Sequence, residues 1–144
     1  MAISTEELRN VSLLASVEDK ELRKLAGQLK ERSYPAGQTI VSEGKGGIGF
    51  FLMLQGTASV RIRGDERGRL SPGDTFGELA LLDLSADRVA TIVAETDVRC
   101  ASMTAWEFKP FLIGHPEVAW VMLQSVAGRL REAQARADAQ VAAQ

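Results

Sequence analysis

Short apolar strands separated by turn residues fill the middle of this chain, from about residue 28 to residue 102. Glycine marks most of the turns, which are predicted at 34–37, 43–44, 55–56 and 64–65. Strands are predicted at 39–42, 48–54, 57–63, 66–70, 89–94 and 98–102. Strands this short, with turns this frequent, favour an antiparallel β-sandwich or jelly roll over a parallel sheet.

The strand at 57–63 shows the clearest alternation. Ala58, Val60 and Ile62 are expected to face the core, whereas Ser59, Arg61 and Arg63 are expected to face water. The arginines of this hairpin are interpreted as a solvated surface and not as a nucleic-acid patch, because no aromatic residues are interleaved for base stacking. These arginines are Arg61, Arg63, Arg67 and Arg69.

Helices are predicted on both sides of the β region, at about 4–27 and about 104–141. Three helix starts carry the spacing of a capping box, in which side chain and backbone cap each other across three residues. Gly27 and Gly114 are expected to end helices, and His115 and Pro116 to start the last one. We therefore predict one domain over residues 1–144: a β-roll with N-terminal helices and a long C-terminal helix. The three boxes are Ser4–Glu7, Ser16–Asp19 and Thr104–Glu107.

Composition and charge argue against several classes of protein. A hydrophobic fraction of 45% in 144 residues allows a substantial core, and a formal charge of −2 gives no general attraction to nucleic acid or anionic lipid. The sequence lacks a signal-like N-terminus and any long apolar run, so we expect a cytoplasmic protein without membrane contact. His115 and Cys100 are the only residues of their kinds. A metal centre or a His-based catalytic site is therefore not expected, and Cys100 is expected in the core.

Residues 71–91, SPGDTFGELALLDLSADRVAT, have the features of an anion site. Gly77 permits a tight turn and close approach of a ligand, and residues 78–82 could form a short helix whose first amides attract a negative group. Arg88 could return over the same anion with a bidentate guanidinium. The carboxylate of Glu78 would repel a phosphate but could accept from a ribose hydroxyl. A site that binds both an anionic group and a hydroxyl group indicates a nucleotide ligand.

This stretch resembles the phosphate-binding cassette of the cyclic nucleotide-binding domain, through FGELALL at 76–82 and RVAT at 88–91. The family includes catabolite activator proteins, regulatory subunits of cyclic AMP-dependent kinase and cyclic nucleotide-gated channels. The resemblance extends over roughly residues 13–136 and implies a β-roll. It also implies that Arg88 binds the cyclic phosphate and Glu78 the ribose 2′-hydroxyl. Backbone amides of Gly77, Leu79 and Ala80 would complete the phosphate site.

Val89 departs from the family pattern, which usually has Ser, Thr or Ala after the arginine. Because a Thr there is associated with cyclic GMP, the resemblance implies cyclic AMP as the ligand and cyclic GMP as the less favoured one. No other cofactor is expected.

The C-terminal helix has apolar residues spaced four and three apart, as in a coiled coil, which favours a homodimer. In the family this helix also covers the purine. Arg129, Arg136 and Trp120 are the candidates for a base contact; no family motif decides among them, and Arg129 is named first. Trp120 and Trp106 are expected mainly as core anchors. The spaced residues are Ala119, Leu123, Val126, Leu130, Ala133 and Ala137.

The preferred function is a non-enzymatic sensor of cyclic AMP that signals through its C-terminal helix to an unidentified effector protein or to a second copy. The alternative is an interaction or dimerisation module of the same fold that has lost its ligand. An enzyme of the cupin type is disfavoured, because one His and one Cys cannot form the usual metal cluster.

Overall fold

The β-roll is built from two antiparallel sheets. A computed structural model describes residues 3–42, 44, 49–77 and 90–143. The strands are β1 (Lys30–Tyr34), β2 (Thr39–Val41), β3 (Gly49–Gln55), β4 (Ala58–Ile62), β5 (Asp65–Leu70), β6 (Thr75–Phe76), β7 (Thr91–Ala94) and β8 (Val98–Thr104). The first sheet has the strand order β1-β8-β3-β6 and the second β2-β7-β4-β5, which confirms the predicted antiparallel architecture.

Helices flank the roll at both ends of the chain. They are α1 (Thr5–Arg9), a 3-10 turn (Ser12–Leu14), α2 (Asp19–Gln28), α3 (Ala105–Gly114) and α4 (Pro116–Ala142). The capping boxes predicted at Ser4 and Thr104 are both present. Pro116 opens α4, where its missing N–H costs little, and His115 separates α3 from α4.

Strand β3 is the shared wall of two hydrophobic cores, which explains its nearly continuous apolar sequence. Phe50, Leu52 and Leu54 pack with the N-terminal helices, α3 and the start of α4. Phe51 and Met53, on the opposite face, pack between the two sheets. Successive side chains of a strand point to opposite faces, so an uninterrupted apolar run is what a strand buried on both faces requires.

Cys100 belongs to the core between the sheets, as expected. Its side chain is fully buried, and burial raises the pKa of the thiol to about 12. The thiol is therefore protonated at neutral pH and acts as a small apolar residue.

Arg99 attaches α1 to the first sheet. From β8 its guanidinium donates to the carboxylate of Glu7 on α1 and to that of Glu31 on β1. These bonds lower the pKa of both carboxyl groups and raise that of Arg99. Since Glu7 also forms the capping box with Ser4, one residue connects the start of α1 to the sheet.

Both tryptophans contradict the prediction that they anchor the core. Trp106 is 61% exposed on α3 and Trp120 is 63% exposed on α4. Phe108 and Val118 occupy the buried positions of these helices instead. An indole carries a polar N–H, so its hydrophobic area alone did not determine which helix face would be buried.

Several predicted boundaries also require correction. The helix α2 begins at Asp19 with Glu18 as its N-cap and no side-chain cap bond, so the Ser16 capping box was wrong. It continues through Gly27 to Gln28, because Gly27 does not adopt the left-handed conformation that often ends a helix. The turn predicted at 64–65 lies at Arg63 and Gly64, both of which have positive φ.

Ser59 was predicted to face water but is fully buried. Strand β4 lies between β5 and β7, where Ser59 is paired with Arg69 and Val93. The Nε of Arg61 donates to the Ser59 hydroxyl at 3.1 Å, so that hydroxyl keeps a hydrogen bond in spite of its burial.

Within the described ranges, no helix is long and apolar enough to span a bilayer. The short helix predicted at 78–82 lies outside the described residues.

Candidate functional site

A cavity of about 800 Å³ lies between the second sheet and α4. Val60, Leu70 and Ile92 contribute apolar side chains from the sheet, and Val126 and Leu130 contribute them from the helix. This volume is within the usual range for small-molecule pockets, which combine apolar walls with a few polar groups. The cavity can therefore hold a ligand of nucleotide size.

Gly77, with which the predicted anion site begins, lines this cavity. Its φ of +89° lies in the left-handed region, which glycine adopts without steric cost. Among the predicted site residues, the structure brings Gly77 and Arg129 to the same cavity. The others, Glu78, Leu79, Ala80, Arg88 and Val89, lie outside the described residues.

The turn before Gly77 is fixed by hydrogen bonds to β3. Gly73 N donates to Met53 O at 2.9 Å, and Met53 N donates to Asp74 O at 2.8 Å. The carboxylate of Asp74 accepts from Ser71 N at 2.8 Å, which closes the turn on itself. The backbone therefore enters the cavity wall at β6 in a defined direction.

Gly73 is also the point at which the N-terminal segment contacts this turn. Ser12 N donates to Gly73 O at 3.2 Å. A Cβ added at Gly73 would lie 2.7 Å from Asn10 O, and its φ of +99° is unfavourable for other residues. Only glycine therefore allows the N-terminal segment to approach the turn so closely.

Arg129 connects the helical side of the cavity to the strand that leads to Gly77. Its Nη2 donates to Thr75 O at 3.1 Å. Although the residue as a whole remains exposed, partial loss of water around the guanidinium lowers its pKa, and Asp74 and Glu132 oppose that shift. Arg129 thus lies in the cavity wall, where a ligand could contact it, while Trp120 is not among the described lining residues.

Positive charge exceeds negative charge in the described lining of the cavity. Asp74 and Glu132 supply carboxylates, and four arginines supply guanidinium groups, which gives a net charge of +2 (4 minus 2). This local charge suits an anionic ligand even though the whole chain is slightly acidic. The arginines are Arg67, Arg69, Arg129 and Arg136.

Arg67 lines the cavity, although the sequence analysis placed it on a solvated surface. It lies on β5, and its side chain is only 29% exposed. Val60 pairs with Gly68 and Arg61 pairs with Glu66, so Arg67 is the extra residue of a β-bulge, and a bulge redirects a side chain. No sequence signal marked the irregularity, apart from Gly68, which follows it.

Comparison with known proteins identifies the family of this chain. The sequence profile of the cyclic nucleotide-binding domain matches residues 31–115, which is more than half of the chain. This chain belongs to the cyclic nucleotide-binding domain family. The recognised resemblance and the β-roll are thereby confirmed.

Relatives of this cyclic nucleotide-binding domain include fungal regulatory subunits of cyclic AMP-dependent protein kinase. The subunit of Aspergillus niger is 44% identical over 107 residues, covering 73% of this chain and 26% of the relative. That of Colletotrichum orbiculare is 42% identical over 108 residues, covering 73% of this chain and 27% of the relative. The chain therefore spans about a quarter of the length of these relatives.

Solved structures agree with the fold. Cyclic AMP-bound PfPKA-R (141–441) has a TM-score of 0.81 at 30% identity, over 88% of this chain and 44% of that chain. The catabolite activator protein of Thermus thermophilus has a TM-score of 0.76 at 29% identity, over 88% of this chain and 61% of that chain.

Proposed function

We propose that this cyclic nucleotide-binding domain is a sensor for a cyclic mononucleotide, cyclic AMP, and that it acts by binding and not by catalysis. The observation that carries the proposal is the cavity between the second sheet and α4, which reaches Gly77 and has more arginines than carboxylates in its described lining. The relatives are regulatory subunits named for cyclic AMP, which supports the choice of ligand.

The phosphate and ribose contacts are proposed from the family pattern. Arg88 binds the cyclic phosphate together with backbone amides of Gly77, Leu79 and Ala80, and Glu78 accepts from the ribose 2′-hydroxyl. The positive φ of Gly77 supports this placement, because it turns the backbone at the edge of the cavity just before that segment. Val89 adds no hydroxyl, which favours cyclic AMP over cyclic GMP at that position.

The helix α4 carries the response to the ligand in this proposal. Val121, Val126 and Leu130 of α4 line the cavity, and Arg129 bonds to the backbone immediately before the phosphate segment. A nucleotide in the cavity contacts sheet and helix together, so its binding energy can favour one position of the helix over another. Arg129 is the proposed contact to the base.

Calorimetric titration with cyclic AMP, cyclic GMP and linear AMP tests the ligand. We expect saturable binding of cyclic AMP and little binding of linear AMP. Arg88→Ala should weaken binding by roughly 30-fold or more, since it removes the charge opposite the phosphate. Glu78→Ala should weaken it by about 10-fold through loss of a charged hydrogen bond.

Arg23→Ala is the matched control for the loss of charge, because Arg23 is exposed on α2 and lies outside the described cavity lining. Normal affinity in Arg88→Ala would refute the phosphate assignment. No binding of any cyclic nucleotide at millimolar concentration would instead favour the alternative, an interaction module that has lost its ligand.

Homodimerisation through α4 is the second part of the proposal. Leu123 and Leu130 lie in the predicted seam and are exposed, as large apolar residues in a partner-binding helix are before assembly. The seam places the dimer contact on the helix that borders the cavity, so ligand and dimer could influence each other. An effector protein contacting the same helix is the alternative partner.

A further inference from the structure

His115 lies where α3 ends and α4 begins. It is the C-cap residue of α3 and the N-cap residue of α4, and its backbone, with φ −135° and ψ 72°, is not helical. The side chain is 17% exposed, and its ring stacks on Phe111 of α3 with 4.2 Å between the ring centroids. The imidazole is therefore packed against the last turn of α3, at the junction of the two helices.

A hydrogen bond determines which nitrogen carries the proton when His115 is neutral. Nδ1 lies 2.9 Å from the backbone oxygen of Phe111. Because a carbonyl oxygen only accepts, Nδ1 is the donor, and Nε2 of the neutral ring then has a lone pair and no proton. This Nε2 lies 3.6 Å from Oε2 of Glu21 on α2. A neutral ring therefore presents a lone pair to a carboxylate, whereas a protonated ring forms an ion pair with it.

The charged side chains around the ring are mostly acidic. A recess beside His115 is lined by Glu18 and Glu21 from the start of α2 and by Glu117 from the first turn of α4. Lys24 of α2 forms an exposed pair with Glu21 at 3.7 Å and so competes for that carboxylate. Three carboxylates against one lysine favour a positive charge on the imidazole.

The two helix ends beside the ring act in opposite directions. The C-terminal end of α3 favours a positive charge, and the N-terminal end of α4 disfavours one. The bond from Nδ1 to Phe111 places the ring against a carbonyl group in the last turn of α3. Glu117, in the first turn of α4, offsets the positive end of that helix. The helix ends therefore do not cancel the preference set by the carboxylates.

We propose that His115 is a pH-sensitive clamp, which in its protonated form holds the junction of α3 and α4 to α2 through Glu21. Histidine is the side chain that ordinarily changes charge between pH 5 and pH 8. The clamp stabilises the folded chain below about pH 6.5, where a histidine is ordinarily protonated, and its stabilisation is lost as pH rises. It acts at the start of α4, whose second half borders the cavity, and it does not depend on which ligand the cavity binds.

Urea denaturation between about pH 5.5 and pH 8 tests the clamp. In the natural chain the equilibrium constant for unfolding should rise by roughly 3- to 10-fold over this range, because an ion pair and a favourable helix-end contact are lost. In His115→Gln and in Glu21→Gln the rise should be less than about 2-fold. His115 is the only histidine, and Cys100, with a pKa of about 12, keeps its proton over the whole range.

Glu6→Gln is the matched control, because Glu6 is an exposed carboxylate of the N-terminal helices outside the described lining of the recess. The unfolding constant of Glu6→Gln should rise with pH as much as that of the natural chain. An unfolding constant that does not change with pH in the natural chain would overturn the proposal. So would a rise of the natural size in either His115→Gln or Glu21→Gln, or its loss in Glu6→Gln.

Circular dichroism shows whether each variant is folded before urea is added. If His115→Gln does not fold, Glu21→Gln decides, because it keeps the imidazole and its bond to Phe111 and removes only the carboxylate. Since no ligand is present in these measurements, failure of the clamp and failure of the proposed cyclic nucleotide binding are separate results.

Discussion

The two halves of α4 lie in opposite environments. Val118 and Met122, in its first two turns, are buried in the core that includes the N-terminal helices and α3. From Arg129 to Ala143 every residue is exposed. One half is therefore held by hydrophobic packing, while the other is in contact with the cavity and with solvent. The first half of α4 can therefore serve the stability of the fold, while the second half can respond to a ligand in the cavity.

Truncation of a buried residue in the packed half should have the largest effect. Met122→Ala should lower the free energy of unfolding by about 2–5 kcal/mol, because it removes a buried side chain and leaves a cavity. Urea denaturation followed by circular dichroism measures the change.

Leu123→Ala provides the matched control, since Leu123 is the adjacent residue and is exposed. We expect a change within about 0.5 kcal/mol for this variant in the monomer. An equal decrease in the free energy of unfolding of Met122→Ala and Leu123→Ala would contradict the proposed division of α4.

Arg99 connects α1 to the first sheet, and this attachment should depend on pH. Arg99 lowers the pKa of Glu7 and Glu31 in the folded chain below the ordinary glutamate value of 4.5. The stabilisation is therefore fully present above about pH 4.5 and is lost as pH falls through the lowered values. Urea denaturation at a series of acidic pH values should show this loss. In Arg99→Gln the free energy of unfolding should depend less steeply on pH.

Lys24→Gln is the control for that experiment, because Lys24 forms an exposed pair with Glu21 at 3.7 Å. The pH dependence of the free energy of unfolding should be the same in Lys24→Gln as in the natural chain. An unchanged pH dependence in Arg99→Gln would show that the Arg99 pairs do not hold α1.

Substitution in the exposed half should have the smallest effect on monomer stability. Leu130→Ala should change the free energy of unfolding by less than about 0.5 kcal/mol but weaken the proposed dimer by roughly 30-fold or more, since Leu130 would be buried in the dimer. Sedimentation equilibrium measures the association.

The control for the dimer is Gln124→Ala, which alters an exposed α4 residue outside the seam. A natural chain that stays monomeric at all accessible concentrations would contradict the dimer proposal.

Most of the fold could be predicted from local sequence patterns, because strand burial patterns and helix caps depend on residues only a few positions apart. The apolar run of β3 and the capping boxes at Ser4 and Thr104 appear in the structure, whereas the alternation of β4 is broken at the buried Ser59. The strand β6 was missed, since two residues carry no periodicity. Trp106 and Trp120 were misplaced because burial depends on what a helix packs against, which its own sequence does not specify.

The site was predicted less completely than the fold. Motif spacing drew attention to Gly77, and the family's use of the C-terminal helix drew attention to Arg129; both residues line the cavity, and their contacts to a ligand stay predictions. The roles of Glu78, Leu79, Ala80, Arg88 and Val89 stay predictions. Arg67 could not be found from the sequence, because its direction depends on a bulge between two strands.

Because both tryptophans are exposed, the intrinsic fluorescence of this protein can respond to a bound partner protein and not to the ligand. The indole rings of Trp106 and Trp120 emit from a watery environment and are open to a soluble quencher such as iodide. Neither is among the described residues that line the cavity, so a nucleotide bound there would not cover them. A protein that binds over α3 or the first turns of α4 would cover them and reduce quenching. Fluorescence quenching can therefore detect an effector separately from the ligand.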